Sequence, residues 1–140
     1  MVFDNLMTRF RAADRNTRLE TLLDYSRKLP ELPAELRQAG DHEAHRVTEC
    51  QTPVFLWVGL DDGLVRIHAD VPRESPTVRG FVSLLASRLN GVTPADVAAV
   101  PDDLLDRLAL GETLGMMRTQ GLTAILSRVK RLVARAHTEQ

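Results

Sequence analysis

One cysteine, Cys50, stands in 140 residues. A lone thiol cannot close an internal disulfide, which fits a reducing compartment. It also falls short of the several thiolates with which a cluster scaffold holds iron. Neither sign of charge is in excess: 18 Lys and Arg face 19 Asp and Glu, a net charge of −1. Bulk attraction to nucleic acid or to an anionic membrane is therefore not expected. No apolar run approaches the about 18 residues of a membrane span. Residues 1–10 hold Asp4 and Arg9 and have no apolar core of a signal peptide. No internal repeat and no low-complexity stretch occurs. What remains is 44% hydrophobic and 26% charged, the balance of a globular chain. The length suits one domain, residues 1–140, with a core of its own.

The most informative stretch runs Val47-Thr48-Glu49-Cys50-Gln51-Thr52-Pro53-Val54. Polar sequence gives way here to the most apolar run of the chain. Pro53 has no N–H to donate to a ladder and belongs at a strand start or edge. Residues 54–60 then read as a buried strand by length and β-branched and aromatic content. Residues 46–50 predict a short strand before it. Asp62-Gly63 marks a hairpin turn whose two central residues need positive φ, and residues 64–69 alternate as a third strand. Val65, Ile67 and Ala69 share one face; Leu64, Arg66 and His68 share the other. The expected fold class is α+β: a three-stranded antiparallel sheet with helices packed on one face.

The helices are signalled by periodicity and punctuation. Val2, Leu6 and Phe10 recur every four residues. Thr17 and Glu20 have the form of a capping box, and the helix that follows must stop before Pro30. Ser75-Pro76 opens a helix as N-cap and first position, and Asn90-Gly91 closes it. Short helices are expected after Thr93-Pro94 and Pro101-Asp102-Asp103, and Gly111 and Gly115 bracket a turn. The last helix, residues 117–136, carries Leu122, Ile125, Leu126, Val129, Leu132 and Val133 on one face. Arg128, Arg131 and Arg135 line its other face, a stripe that reads as solvated.

Cys50 has two readings. A free cysteine is often a small buried hydrophobe. A thiol on a loop feeding a rigid strand is also well placed for chemistry, and Glu49, Gln51 and Thr52 are a poor shell for a core residue. Metal binding is not indicated: His42 and His45 are three apart, whereas the zinc-protease helix needs four around a general-base Glu. A cysteine hydrolase would pair Cys50 with His42, His45, His68 or His137, yet no such signature is present.

Cys50-Gln51-Thr52-x-Val54 with an aromatic-rich strand behind it resembles the active-site signature of the SufE family. Leu29-Pro30-Glu31-Leu32, Val78-Arg79-Gly80 and Arg118-Thr119-Gln120-Gly121-Leu122 resemble three further family blocks, in the family's order and near its spacing. The family usually has Gly before the cysteine and Ser after the Gln; this chain has Glu49 and Thr52. The resemblance implies a cytoplasmic accessory protein, itself not an enzyme, that takes persulfide sulfur from a SufS-like cysteine desulfurase onto Cys50. It then passes the sulfur to an iron–sulfur scaffold. No cofactor and no metal are implied for this chain, since pyridoxal phosphate (PLP) belongs to the desulfurase; nor is nucleic acid or a membrane a partner. Glu49, Gln51, Thr52 and Arg118 are implied to shape the site. Arg118 is a candidate to favour the thiolate, and Glu49 to favour the neutral thiol. The competing reading is a docking module that regulates a desulfurase without carrying sulfur.

Overall fold

The computed structural model describes residues 1–139. Among them, eight helices and two strands follow in the order α1 (Asp4–Ala12), α2 (Arg15–Lys28), α3 (Ala34–Arg37), β1 (Phe55–Asp61), β2 (Leu64–Asp70), α4 (Pro76–Leu89), α5 (Pro94–Ala98), α6 (Leu104–Arg107), α7 (Leu110–Leu114) and α8 (Met116–Thr138). A 3-10 turn, His42–His45, precedes the sheet.

β1 and β2 pair antiparallel from Phe55↔Asp70 to Asp61↔Leu64. Asp62 and Gly63 join them with φ of 55° and 78°, the positive values that this two-residue turn requires. Leu56, Val58 and Leu60 stand opposite Ala69, Ile67 and Val65. These six residues make the apolar face, covered by α8 over β1 and α4 over β2. The rings of His42 and His45 cover Phe55 and Trp57 on the other face. Asp70 and Asp41 hold those rings at 3.1 Å, so the two histidines pack half-buried on the sheet while Asp41, Glu43 and Ala44 stay exposed.

The expected third strand is not formed: among the described residues the sheet has two strands. Arg46 makes an isolated bridge with Phe55, and the Val47 N–H donates to the Val54 carbonyl at 2.8 Å. The chain then turns, with the Cys50 N–H returning to the Val47 carbonyl at 3.3 Å. A ladder cannot continue through residues 48–50 once Val47 is committed to Val54. Pro53 also has no N–H with which to extend it.

Two helix starts differ from expectation. α2 begins three residues before the expected capping box, because Asp14 is the N-cap and accepts from the Thr17 N–H at 2.8 Å. Asp is as strong a cap as Thr, and the extended Ala13–Asp14 joint supplies the geometry. The turn expected between Gly111 and Gly115 is a short helix, α7, that begins at Leu110. The box at Thr93 and Asp96 is present, and α8 matches its expected span to within two residues at each end.

The two inner helices cross closely. A Cβ on Gly80 of α4 would overlap the Leu22 carbonyl oxygen of α2, so only glycine permits this approach. The neighbouring Arg79 is buried and, among the described residues, has no carboxylate partner. Its guanidinium donates to the carbonyls of Ser26 at 2.8 Å, Val71 at 2.6 Å and Leu29 at 3.5 Å. It thereby ties the end of α2, the exit of β2 and α4 together. Burial, and then Arg73, push its proton affinity down, while Asp70 opposes them. Val78-Arg79-Gly80 and the Leu29-Pro30 step are thus one structural joint. Among the described residues, no helix is long and apolar enough to cross a membrane.

Candidate functional site

The loop between the Arg46 bridge and β1 carries Cys50. Its first turn closes on Val47 and its end is pinned by Val54, both fully buried. Cys50 is 7% exposed and belongs to the apolar core. Its sulfur leans on α8, where a Cβ placed on Gly121 would stand 3.5 Å from Sγ. The glycine leaves the sulfur room against the helix, and a larger residue would cover it.

The thiol lines a groove of about 550 Å³. Loop residues Glu49 to Thr52 form one wall, Glu74 to Val78 at the entry of α4 a second, and Met117 to Gly121 at the start of α8 a third. The structure therefore brings the predicted residues Glu49, Cys50, Gln51, Thr52 and Arg118 to one groove. It also explains why an Arg-Thr-Gln-Gly-Leu block lies so far along the chain: Arg118, Gln120 and Gly121 face the groove, while Leu122 anchors α8 in the core. Met117 is 79% exposed beside Arg118.

Burial pushes the Cys50 thiol up from its ordinary pKa; a hydrogen bond from the Thr52 backbone and the charge of Arg46 act against burial. The cation that favours thiolate is thus Arg46, whose guanidinium lies 5.8 Å from the Phe55 ring centroid. Arg118 lines the same groove. Glu49 turns to α8, with Oε2 3.7 Å from Arg131 Nη2 and Oε1 3.3 Å from the Thr48 hydroxyl. Its carboxyl is held below the ordinary value, first by its own backbone N–H and then by Thr48, Arg131 and Arg128, against burial. Sequence reasoning missed Arg46 and Arg131. Arg46 could have been found from its place just before the loop; Arg131 was visible only as part of the stripe.

A folded-state pKa raised above the unfolded one has a defined sign. The resulting stability is full below the unfolded thiol pKa and fades as pH rises through the folded value. Alkylation of native Cys50 by iodoacetamide should accordingly have its pH midpoint above that of the same chain in urea. A native midpoint at or below the unfolded one would remove burial as the governing influence.

No group of three or more His, Cys, Asp or Glu side chains able to hold a metal ion occurs among the described residues. Fold and site together define a small α+β protein that shelters a single thiol on the loop feeding its sheet, with one groove leading to it. The chain belongs to the SufE family: residues 4–133 match the family model described as an Fe-S metabolism associated domain. An uncharacterized SufE-like protein of Mycobacterium tuberculosis is 39% identical over 120 residues, covering 85% of this chain and 82% of that one. One from Synechocystis is 30% identical over 120 residues, covering 86% of this chain and 72% of that protein. The solution structure of a hypothetical protein from Thermus thermophilus superimposes with a TM-score of 0.83. It shares 34% identity, and the match covers 98% of this chain and 96% of that one. Family membership ties the chain to Fe–S metabolism.

Proposed function

We propose that this protein accepts sulfur from a SufS-like cysteine desulfurase as a persulfide on Cys50 and relays it to an iron–sulfur scaffold. The observation that carries the reading is a sole thiol on a loop, opening to one groove, in a chain of the SufE family. The Cys50 thiolate attacks the outer sulfur of the donor's persulfide. The donor's S–S bond breaks, its cysteine leaves as thiolate, and Cys50 holds the transferred sulfur in a new S–S bond. No electrons are gained or lost overall, and no resident metal or cofactor is needed; PLP stays with the desulfurase.

A thiol so buried cannot meet a donor sulfur where it stands, because exchange depends on access as well as on thiolate fraction. The loop must turn Cys50 outward when the partner docks. Gln51 and Thr52 are the loop's next residues and follow that movement. Arg118, exposed at the groove's rim, supplies a cation for the emerging thiolate or persulfide. A free thiol of this kind suits a reducing compartment, and the reading puts the protein in the cytoplasm.

The test is intact-mass analysis after incubation with a desulfurase, PLP and cysteine. The protein should gain the mass of one sulfur atom on Cys50, and a reducing agent should remove it. Absence of that gain while the desulfurase turns over would rule out the carrier.

A further inference from the structure

α8 carries charge of one sign only, with no Asp or Glu in its length. Arg128, Arg131 and Arg135 follow one another at helical spacings of three and four. With Leu132 they enclose a shallow cleft of about 240 Å³. Arg18, Arg27, Arg66, Arg107 and Lys130 each meet a carboxylate at 2.7 to 3.6 Å, whereas Arg128 and Arg135 meet none among the described residues. Among the described residues, Glu49 is the one carboxylate within ion-pair distance of the α8 cleft, and it reaches only Arg131, at 3.7 Å. Three guanidiniums thus share a single, loosely held carboxylate.

That carboxylate is one peptide bond from Cys50. The loop touches α8 at two points: the sulfur against Gly121 and the Glu49 carboxylate on Arg131. Ten residues of helix separate these, about 15 Å along the axis, so a partner resting on the arginines would lie within reach of the thiol.

We infer that the Arg128–Arg131–Arg135 face is the docking surface for a carboxylate-bearing segment of the partner protein, and that this segment displaces Glu49 and so loosens the Cys50 loop. The sulfur-acceptor reading names that partner as the sulfur donor; the docking surface and its link to the loop rest on the charges. Carboxylates fit where one carboxylate already sits, and the unmatched Arg128 and Arg135 add attraction that Glu49 does not satisfy. An exposed pair at this distance is worth little. Glu49 is therefore a bias on the loop and not a lock, and its release should change Cys50 exposure roughly two- to fivefold.

The experiment follows Cys50 alkylation by iodoacetamide in the free protein at low ionic strength, with and without hexaglutamate. Free glutamate at equal carboxylate concentration and equal ionic strength is the control. Hexaglutamate should accelerate the parent protein roughly two- to fivefold, by the same factor at each pH, leaving the midpoint in place. Glu49→Gln should react at the faster rate without the peptide and ignore it when added. The triple variant Arg128→Gln, Arg131→Gln, Arg135→Gln should ignore it as well. An unchanged parent rate, or acceleration of parent and triple variant alike, would overturn the proposal. A shifted midpoint in Glu49→Gln would replace the latch with a direct charge effect on the thiol. No desulfurase is present, so this outcome stands apart from whether Cys50 takes up sulfur.

Discussion

Cys50→Ser should give a folded protein that takes up no sulfur at all. Serine occupies the thiol's place with one atom changed, and its hydroxyl is an acceptor for the loop's backbone N–H groups. A hydroxyl has neither the acidity nor the nucleophilicity to open a persulfide S–S bond near neutral pH. The expected result is a loss to the detection limit in the intact-mass assay, with an unchanged circular dichroism spectrum and an unfolding free energy unchanged to within about 1 kcal/mol. Desulfurase turnover provides a second readout. A carrier accelerates its partner by removing sulfur, so the Ser variant should give no acceleration. If it stimulates the desulfurase as well as the parent protein does, the protein is a docking regulator and Cys50 is a core residue of its loop. Cys50→Ala guards the interpretation, because it removes the hydroxyl and any contact made through it.

The fold was legible wherever local signals were enough. The Asp62-Gly63 turn fixes the β1–β2 register, and with it the facing of Val65, Ile67 and Ala69. The stripe from Leu122 to Val133 marks the buried face of α8. The missing strand shows where local reading stops. Residues 46–50 have strand-like neighbours, but Val47 pairs with Val54, and only a turn fits between them. That constraint is a pairing between residues on either side of the loop, which no window of periodicity contains. The start of α2 turned on a competition between two adequate caps, Asp14 and Thr17, decided by the chain's path out of α1.

The site was legible for its residues and not for its electrostatics. Glu49, Gln51, Thr52 and Arg118 do surround the groove onto which Cys50 opens. Sequence adjacency, however, put the Glu49 charge on the thiol, whereas the side chain crosses to Arg131. The charge of Arg46, at the base of the loop, acts on the thiol instead. Both follow from side-chain direction: neighbours along an extended or turning chain point apart, and charges meet across the fold. The polar neighbours also pointed away from a buried sulfur. They are themselves solvated or half-solvated at the loop's surface, while the Cys50 side chain is buried in the core.

The fold that holds the groove's second wall in place depends on a single missing methyl group. Gly80→Ala should destabilise the protein by about 2–4 kcal/mol, although the same change in an open helix interior stabilises by about 1 kcal/mol. An added Cβ would overlap the Leu22 carbonyl oxygen and stand 2.8 Å from the Leu22 carbonyl carbon. Both belong to backbone, so no side-chain rotation relieves the clash, and α2 must move away from α4. Arg79 then loses geometry on the Ser26 and Leu29 carbonyls of α2 while staying held by Val71. A buried guanidinium deprived of partners costs more than a neutral donor would. The change should appear as a lower urea midpoint and a fall in Tm of roughly 10 °C. Gly111→Ala is the control: its Cβ would meet only the Asp106 side chain, at 3.4 Å, and its stability should be unchanged or slightly raised. Equal stability of Gly80→Ala and the parent would mean that α2 and α4 can separate freely, and that Val78-Arg79-Gly80 owes its presence to something other than this crossing. Separation should also be felt at the thiol. Glu74 to Val78, at the entry of α4, wall the groove, so the folded Gly80→Ala protein, kept cold, should alkylate faster at Cys50 than the parent.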